Sequence, residues 1–213
     1  METPLQTPKA GPVAAYTFEE GEGTTSADVS GHGHTATIEG PEWARGKEGG
    51  ALEFDGEDDC VSIPGSTAFG FSEEFTLKAW VRPERETIGG GPIIVQEDEK
   101  AGKGELPYSY LLAAGGEYPL AAKVRNAGGG YQGIAGASPL PAGAWSTVAL
   151  VDDGVELDLY ENGVLVENEP SPTLTTATGN ISIGCDRALG TYFKGRITQV
   201  QLYARALTAA EVG

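Results

Sequence analysis

A chain of 213 residues with 39% hydrophobic side chains is long enough to bury one sizeable core without help from metals or disulfides. Thirty-one acidic against 14 basic side chains leave a formal charge of −17, which repels phosphate backbones and anionic lipid and so argues against nucleic acid and membrane partners. Thirty-two glycines, 13 prolines and a single methionine speak against a helical protein, and no apolar run approaches the roughly 18 residues that cross a bilayer.

Residues 1–11 (METPLQTPKAG) are Thr/Pro-rich and aperiodic, which suits a linker from a preceding domain or a cloning tail; the domain itself is expected over residues 12–213. A first strand is expected at residues 13–18 (VAAYTF), then a glycine-rich turn region, then strands at 35–38, 51–56 and 60–64, the last closed by Pro64. Residues 75–83 (FTLKAWVRP) alternate cleanly, with Phe75, Leu77, Ala79 and Val81 on one face. Short strands follow at 93–96, 110–114, 120–124 and 131–134, each bounded by Gly or Pro, and a longer one at 145–151. Residues 155–166 (VELDLYENGVLV) carry the strongest local signal: alternating apolar positions run into Asn162-Gly163, whose tolerance of positive φ suits a type I′ hairpin.

After a strand at 181–184, the last strand places Ile197, then Val200, Leu202 and Ala204 on one side. The period slips by one residue between Ile197 and Val200, which predicts a bulge there. Thr208 and Glu211 are spaced as a capping box and predict a helical turn at the C-terminus. About fourteen short strands with no intervening helix make an all-β protein, a two-sheet antiparallel β-sandwich.

The order of several marks resembles the laminin-G-like branch of the concanavalin A-like lectin/glucanase superfamily. These marks are Tyr16-Thr17-Phe18-Glu19, Asp28-Val29-Ser30-Gly31-His32-Gly33, Gly49-Gly50-Ala51-Leu52-Glu53-Phe54-Asp55-Gly56, Phe75 through Val81, Leu159-Tyr160-Glu161-Asn162-Gly163, and Leu202-Tyr203-Ala204-Arg205-Ala206-Leu207. The resemblance implies a jelly roll from Val13 to Val212. It covers sugar-binding modules, adhesion domains and glucanases alike, so it does not choose a function.

Residues 28–34 supply a carboxylate, hydroxyls and freely turned carbonyls, as a hard cation wanting about six to eight oxygens would require. The resemblance implies that this loop meets the last strand around calcium, which nominates Asp28, His32 and His34 together with Thr198 and Gln199. Where the family commonly has Asp followed by Asp or Glu, this chain has Thr198-Gln199. The competing reading is an Asx/Ser turn closed by its own hydrogen bonds. The two histidines have no third nitrogen or thiol nearby in sequence, which argues against zinc. Cys60 and Cys185 form no C-x-x-C pair; either they are bridged across the fold of a secreted protein or they are two buried free thiols.

Glu156, Asp158 and Glu161 resemble the catalytic strand of glucanases of this fold, in which paired carboxylates lie about 5–5.5 Å apart in retaining enzymes. Here Glu161 directly precedes the hairpin turn, so the hairpin explains the pattern without catalysis. Sugar modules stack pyranoses on exposed aromatic rings, and Trp43, Tyr108, Tyr110, Tyr118, Tyr131 and Tyr192 are the candidates in loops. Trp80 and Trp145 sit in long strands and read as core or wall residues, while residues 96–108 form a long charged loop where contacts could be added. The expectation is a non-catalytic, extracellular or cell-surface module of a larger protein that binds carbohydrate or another surface ligand, with calcium as a candidate cofactor. A structural or adhesion domain without a sugar site, and a glycoside hydrolase using Glu156, Asp158 and Glu161, are the alternatives.

Overall fold

A computed structural model describes residues 10–84, 91–98, 106 and 108–213. Residues 1–9 of the expected linker, and 99–105 and 107 of the long charged loop, lie outside the described residues. Ala10 already touches the domain, its carbonyl accepting from Arg205 Nε at 2.8 Å.

Two antiparallel sheets stack face to face. The first runs, edge to edge, through Val164–Pro170, Glu156–Glu161, Ser146–Asp152, Phe75–Pro83, Lys194–Tyr203, Gly50–Asp55 and Glu42–Arg45, with Ala14–Tyr16 also pairing on Lys194–Tyr203. The second runs through Tyr131–Pro139, Tyr118–Arg125, Tyr108–Gly115, Pro92–Glu97, Ile181–Ile183, Cys60–Ile63, Ala36–Glu39 and Thr25–Ser26. A two-stranded ribbon pairs Cys185–Asp186 with Thr191–Tyr192. Among the described residues there are 18 strands and one α-helix, Ala209–Val212. The excess over fourteen comes partly from pieces of two residues, too short to show any alternation.

The period-two pattern decides which side of each strand faces the other sheet. Phe75, Leu77, Ala79 and Val81 are buried between the sheets, as the alternation predicts, against residues such as Ile63, Ile94, Leu112 and Val124. A smaller apolar cluster lies on the opposite side of the first sheet. There the C-terminal segment lays Leu207 and Val212 over Ala149, Val151 and Tyr160. The capping box holds that segment in shape, with the Glu211 carboxylate accepting from the Thr208 backbone N–H at 2.9 Å.

The Asn162-Gly163 turn has φ of 51° and 75°, the two positive values that a type I′ hairpin requires. The last strand breaks register between Thr198 and Gln201, where Gln199 takes a φ of 51°. This is the bulge that the slipped apolar period foretold. Cys60 and Cys185 are joined as a disulfide with Cα atoms 5.2 Å apart, tying the second sheet to the two-stranded ribbon.

Candidate functional site

The residues nominated for calcium do not converge. Asp28 turns its carboxylate onto backbone: Oδ1 accepts from Ala15 N–H at 3.0 Å and Ser30 N–H at 2.9 Å, and Oδ2 accepts from His34 N–H at 3.1 Å. Burial disfavours its charge, but hydrogen bonds from Ser30, Ala15 and His34 outweigh that and hold the carboxyl below its ordinary pKa. This is the Asx turn of the competing reading. His32 Nδ1 lies 3.0 Å from Ser30 Oγ, while the His34 ring packs on Phe69 and its carbonyl accepts from the Tyr16 hydroxyl.

The strand Ala14–Tyr16 lies between that loop and the last strand, pairing Ala15 with Gln201 on one edge and engaging Asp28 and Val29 on the other. Thr198 is 1% exposed, and its single hydroxyl proton is shared between the Gly50 carbonyl at 2.7 Å and the Thr17 carbonyl at 3.0 Å. A cation would have to draw on a carboxylate already committed to three N–H groups and on a threonine that is already a donor. These five residues do not fit a calcium ion. Gly50 is required for this junction, because a Cβ there would stand 1.8 Å from the Phe18 carbonyl oxygen.

Asp55, Asp58 and Asp59 each bring one carboxylate oxygen within 4.8 Å of the others, a grouping within five positions of one acidic turn that the sequence reading passed over. Asp59 is buried and accepts from Asp55 N–H; burial, and after it the charges of Asp55, Asp58 and Glu42, raise its pKa.

The glucanase-like carboxylates form a hairpin face. Asn168 Nδ2 donates to Glu156 at 3.4 Å across the strand pair, and the Tyr160 hydroxyl donates to Asp158 at 3.1 Å. Tyr160, on the same side of the strand as both, is covered by the C-terminal segment. Glu161 points to a different hollow, beside Leu120, Gly136 and Val166. The three carboxylates therefore line no common cleft.

The aromatic candidates scatter. Tyr110 is a core residue stacked on Phe71 and Phe75, and burial raises its pKa well above the ordinary value. Tyr108 is 2% exposed with its edge to Tyr131, and burial, then the charge of Asp186, pushes it up to about 12. Neither can offer a ring face to a ligand. Tyr131 donates its hydroxyl to the Leu106 carbonyl, and Trp43 donates Nε1 to the Gly23 carbonyl at 2.9 Å, so both fasten loops to the domain. Tyr192 is half-buried, and Tyr118 stands 55% exposed by itself at a strand end.

Trp80, read from sequence as core or wall, also turns its ring outward. Its strand buries the odd positions 75 to 81, so Lys78, Trp80 and Arg82 share the outer side of the first sheet. Trp80 lies between Thr147 on one neighbouring strand and Thr198 on the other. It forms the floor of a hollow of about 120 Å³ with Lys47, Glu48, Thr198 and Gln199. The Lys47 ammonium rests 3.7 Å from the ring centroid, a cation–π contact. The bulge swings Gln199 into this hollow, and among the described residues no side-chain or backbone group engages its amide. The same alternation that identified the core carried this signal, since its other face reads Lys-x-Trp-x-Arg.

The fold matches domain 4 of an extracellular arabinanase from Geobacillus stearothermophilus, in complex with arabinotriose, at 20% identity over 95% of this chain and 97% of that one, with a TM-score of 0.71. It matches the binding domain of Paraclostridial Mosquitocidal Protein 1 at 14% identity and a TM-score of 0.74, and a Trypanosoma rangeli sialidase in complex with sialic acid at 18% and 0.72. The chain covers 95% and 96% of itself in these two matches but only 51% and 32% of the matched chains, so it spans about half of the toxin domain and a third of the sialidase. Among curated proteins, none matches the sequence closely enough to count as a relative. The sequence pattern of one family fits residues 55–213, and with the sandwich described above it establishes that the chain belongs to the concanavalin A-like lectin/glucanases superfamily.

Proposed function

We propose that this domain is a non-catalytic carbohydrate-binding module of a larger extracellular protein, and that sugar lies on the outer side of the first sheet against Trp80. One observation carries the reading. A half-buried tryptophan ring floors a hollow whose rim holds the unengaged amide of Gln199. An apolar ring beside free hydrogen-bonding groups is what recognition of a pyranose asks for, because the sugar has one apolar face and a girdle of hydroxyls. The fold's likeness to an arabinanase domain in complex with arabinotriose, over nearly the whole of both chains, supports the reading. The disulfide suits an oxidising, extracellular setting.

Binding of this kind rests on a rigid floor and needs no metal. Trp80 is held in a central strand between two hydrogen-bonded neighbours, so little order has to be created when ligand arrives. A glycan array followed by calorimetry tests the proposal. The expected result is retention of at least one glycan, lost in Trp80→Ala while circular dichroism reports the same sandwich, still folded at the assay temperature. Retention of no glycan, binding that ignores Trp80→Ala, or glycan cleavage abolished by Glu156→Gln would each overturn it.

A further inference from the structure

We infer that the Trp80 hollow selects sugars carrying a carboxylate, and that Lys47 is its exchangeable cover; this rests on the carbohydrate reading of the same hollow. The chain has 14 basic side chains against 31 acidic ones, yet Lys47, Lys78, Arg82 and Arg196 gather on this one side of the first sheet. Two of them are accounted for. Arg196 pairs with Glu53 at 2.9 Å, and Lys78 donates to the Glu211 carbonyl at 3.0 Å. Like Lys78, the other two have no carboxylate partner among the described residues. Arg82 gives its Nε to the Gly143 carbonyl at 2.7 Å, and Lys47 has the face of Trp80. Arg82 occupies the next outward position along the strand, roughly 7 Å from Trp80.

Lys47 stands where the sugar must go. An ammonium 3.7 Å from the ring centroid fills the face on which a pyranose would stack. A neutral sugar has to displace it and gives nothing back to the charge. A carboxylated sugar displaces it from the ring and then pairs with it, and Arg82, at the next outward position of the same strand, adds a second cation to that side of the sheet. Glu48, also on the rim and as exposed as Lys47, offsets part of that attraction, so the bias toward an anion depends on Arg82 one outward position along the strand. Across the last two strands of the sheet the surface turns acidic, with Glu42, Asp55, Glu57 and Asp59 around a hollow of about 420 Å³. On this sheet an anionic chain is therefore favoured beside Trp80 over the acidic end.

Calorimetry with four probes tests this: tetragalacturonate against galactotetraose, and 3′-sialyllactose against lactose. At least one acidic probe is expected to bind about tenfold or more tighter than its neutral partner at low salt, with the gap narrowing as salt rises. Lys47→Met should weaken the acidic probe about tenfold and strengthen the neutral one about two- to fivefold, because the cover is gone. Arg82→Gln should weaken the acidic probe alone. The two probe pairs separate a uronate from a sialate. Lys47 is exposed and its replacement leaves the fold intact, which an unchanged melting temperature verifies. Equal binding of neutral and acidic probes through Trp80 overturns this inference and leaves the carbohydrate reading standing. Acidic binding indifferent to both Lys47→Met and Arg82→Gln also overturns it. Failure of all four probes overturns it too, and a blank glycan array then removes the carbohydrate reading with it.

Discussion

Thr198→Val separates hydrogen bonding from packing at the junction where a cation was expected. Valine keeps the shape of threonine and deletes only the hydroxyl. In the folded protein that hydroxyl is 1% exposed and its proton is shared by the Gly50 and Thr17 carbonyls. Leaving a buried acceptor without its donor costs about 1–3 kcal/mol, and one proton serves two acceptors here, so the loss should be about 2–3 kcal/mol. An unfolding entropy near 2.1 cal/mol/K per residue gives about 0.45 kcal/mol/K for this chain, so the melting temperature should fall by about 5 °C. Differential scanning calorimetry reads it directly. Thr198→Ser keeps the donor and should recover most of the loss, and wild-type melts in calcium and in chelator should coincide. A valine variant melting within about 1 °C of wild type refutes the hydroxyl bridge. A calcium-dependent rise of several degrees refutes the account of the donor set.

Three further outcomes are expected. Alkylation without reductant should label neither Cys60 nor Cys185, and reduction should cost about 2–5 kcal/mol in a urea titration; two labelled thiols in unreduced protein would remove the disulfide. Asp186 is 5% exposed with Oδ2 unpartnered, and burial raises its pKa, so the folded protein holds that proton more tightly than the unfolded chain. Stability relative to Asp186→Asn should therefore fall as pH rises from about 3.9 through the raised folded value and then level off; a difference flat across that range contradicts it. At Gly163 φ is 75° and an added Cβ would stand 2.8 Å from the Cα of Gly213, so Gly163→Val should cost more than about 1 kcal/mol, whereas Glu156→Gln should stay within about 0.5 kcal/mol. Chemical denaturation of both variants checks the ordering.

Three local signals could be read in the sequence. The Asn162-Gly163 turn, the bulge after Ile197 and the Thr208/Glu211 cap each depend on residues within a few positions of one another, and each is present. The strand Glu42–Arg45 was not legible, because it contains only four residues, none fully buried, and no alternation marks it. The site was harder for a different reason. Tyr108 and Tyr110 border a loop in sequence but lie deep in the second sheet, since a strand begins at Tyr108. Trp80 was masked by its own good pattern: the inward residues explained the strand so well that the outward ones were given no separate reading. Asp28 was nominated first as a calcium ligand and only second as a turn carboxylate, because the fold alone reveals that Ala14–Tyr16 lies between it and the last strand.

The place of Lys194–Tyr203 sets the order in which this molecule can be assembled. It sits between Phe75–Pro83 and Gly50–Asp55 and also carries Ala14–Tyr16, so three segments from the first half of the chain wait for one from the end. Until residue 203 has left the ribosome, the first sheet exists at best as two unjoined strips, each showing a bare hydrogen-bonding edge. Pairings spanning well over a hundred positions close slowly, and open strips of that kind invite sticking to their neighbours. The first sheet therefore closes only when its last strand arrives, and that single pairing is what removes the open edges from reach of other chains.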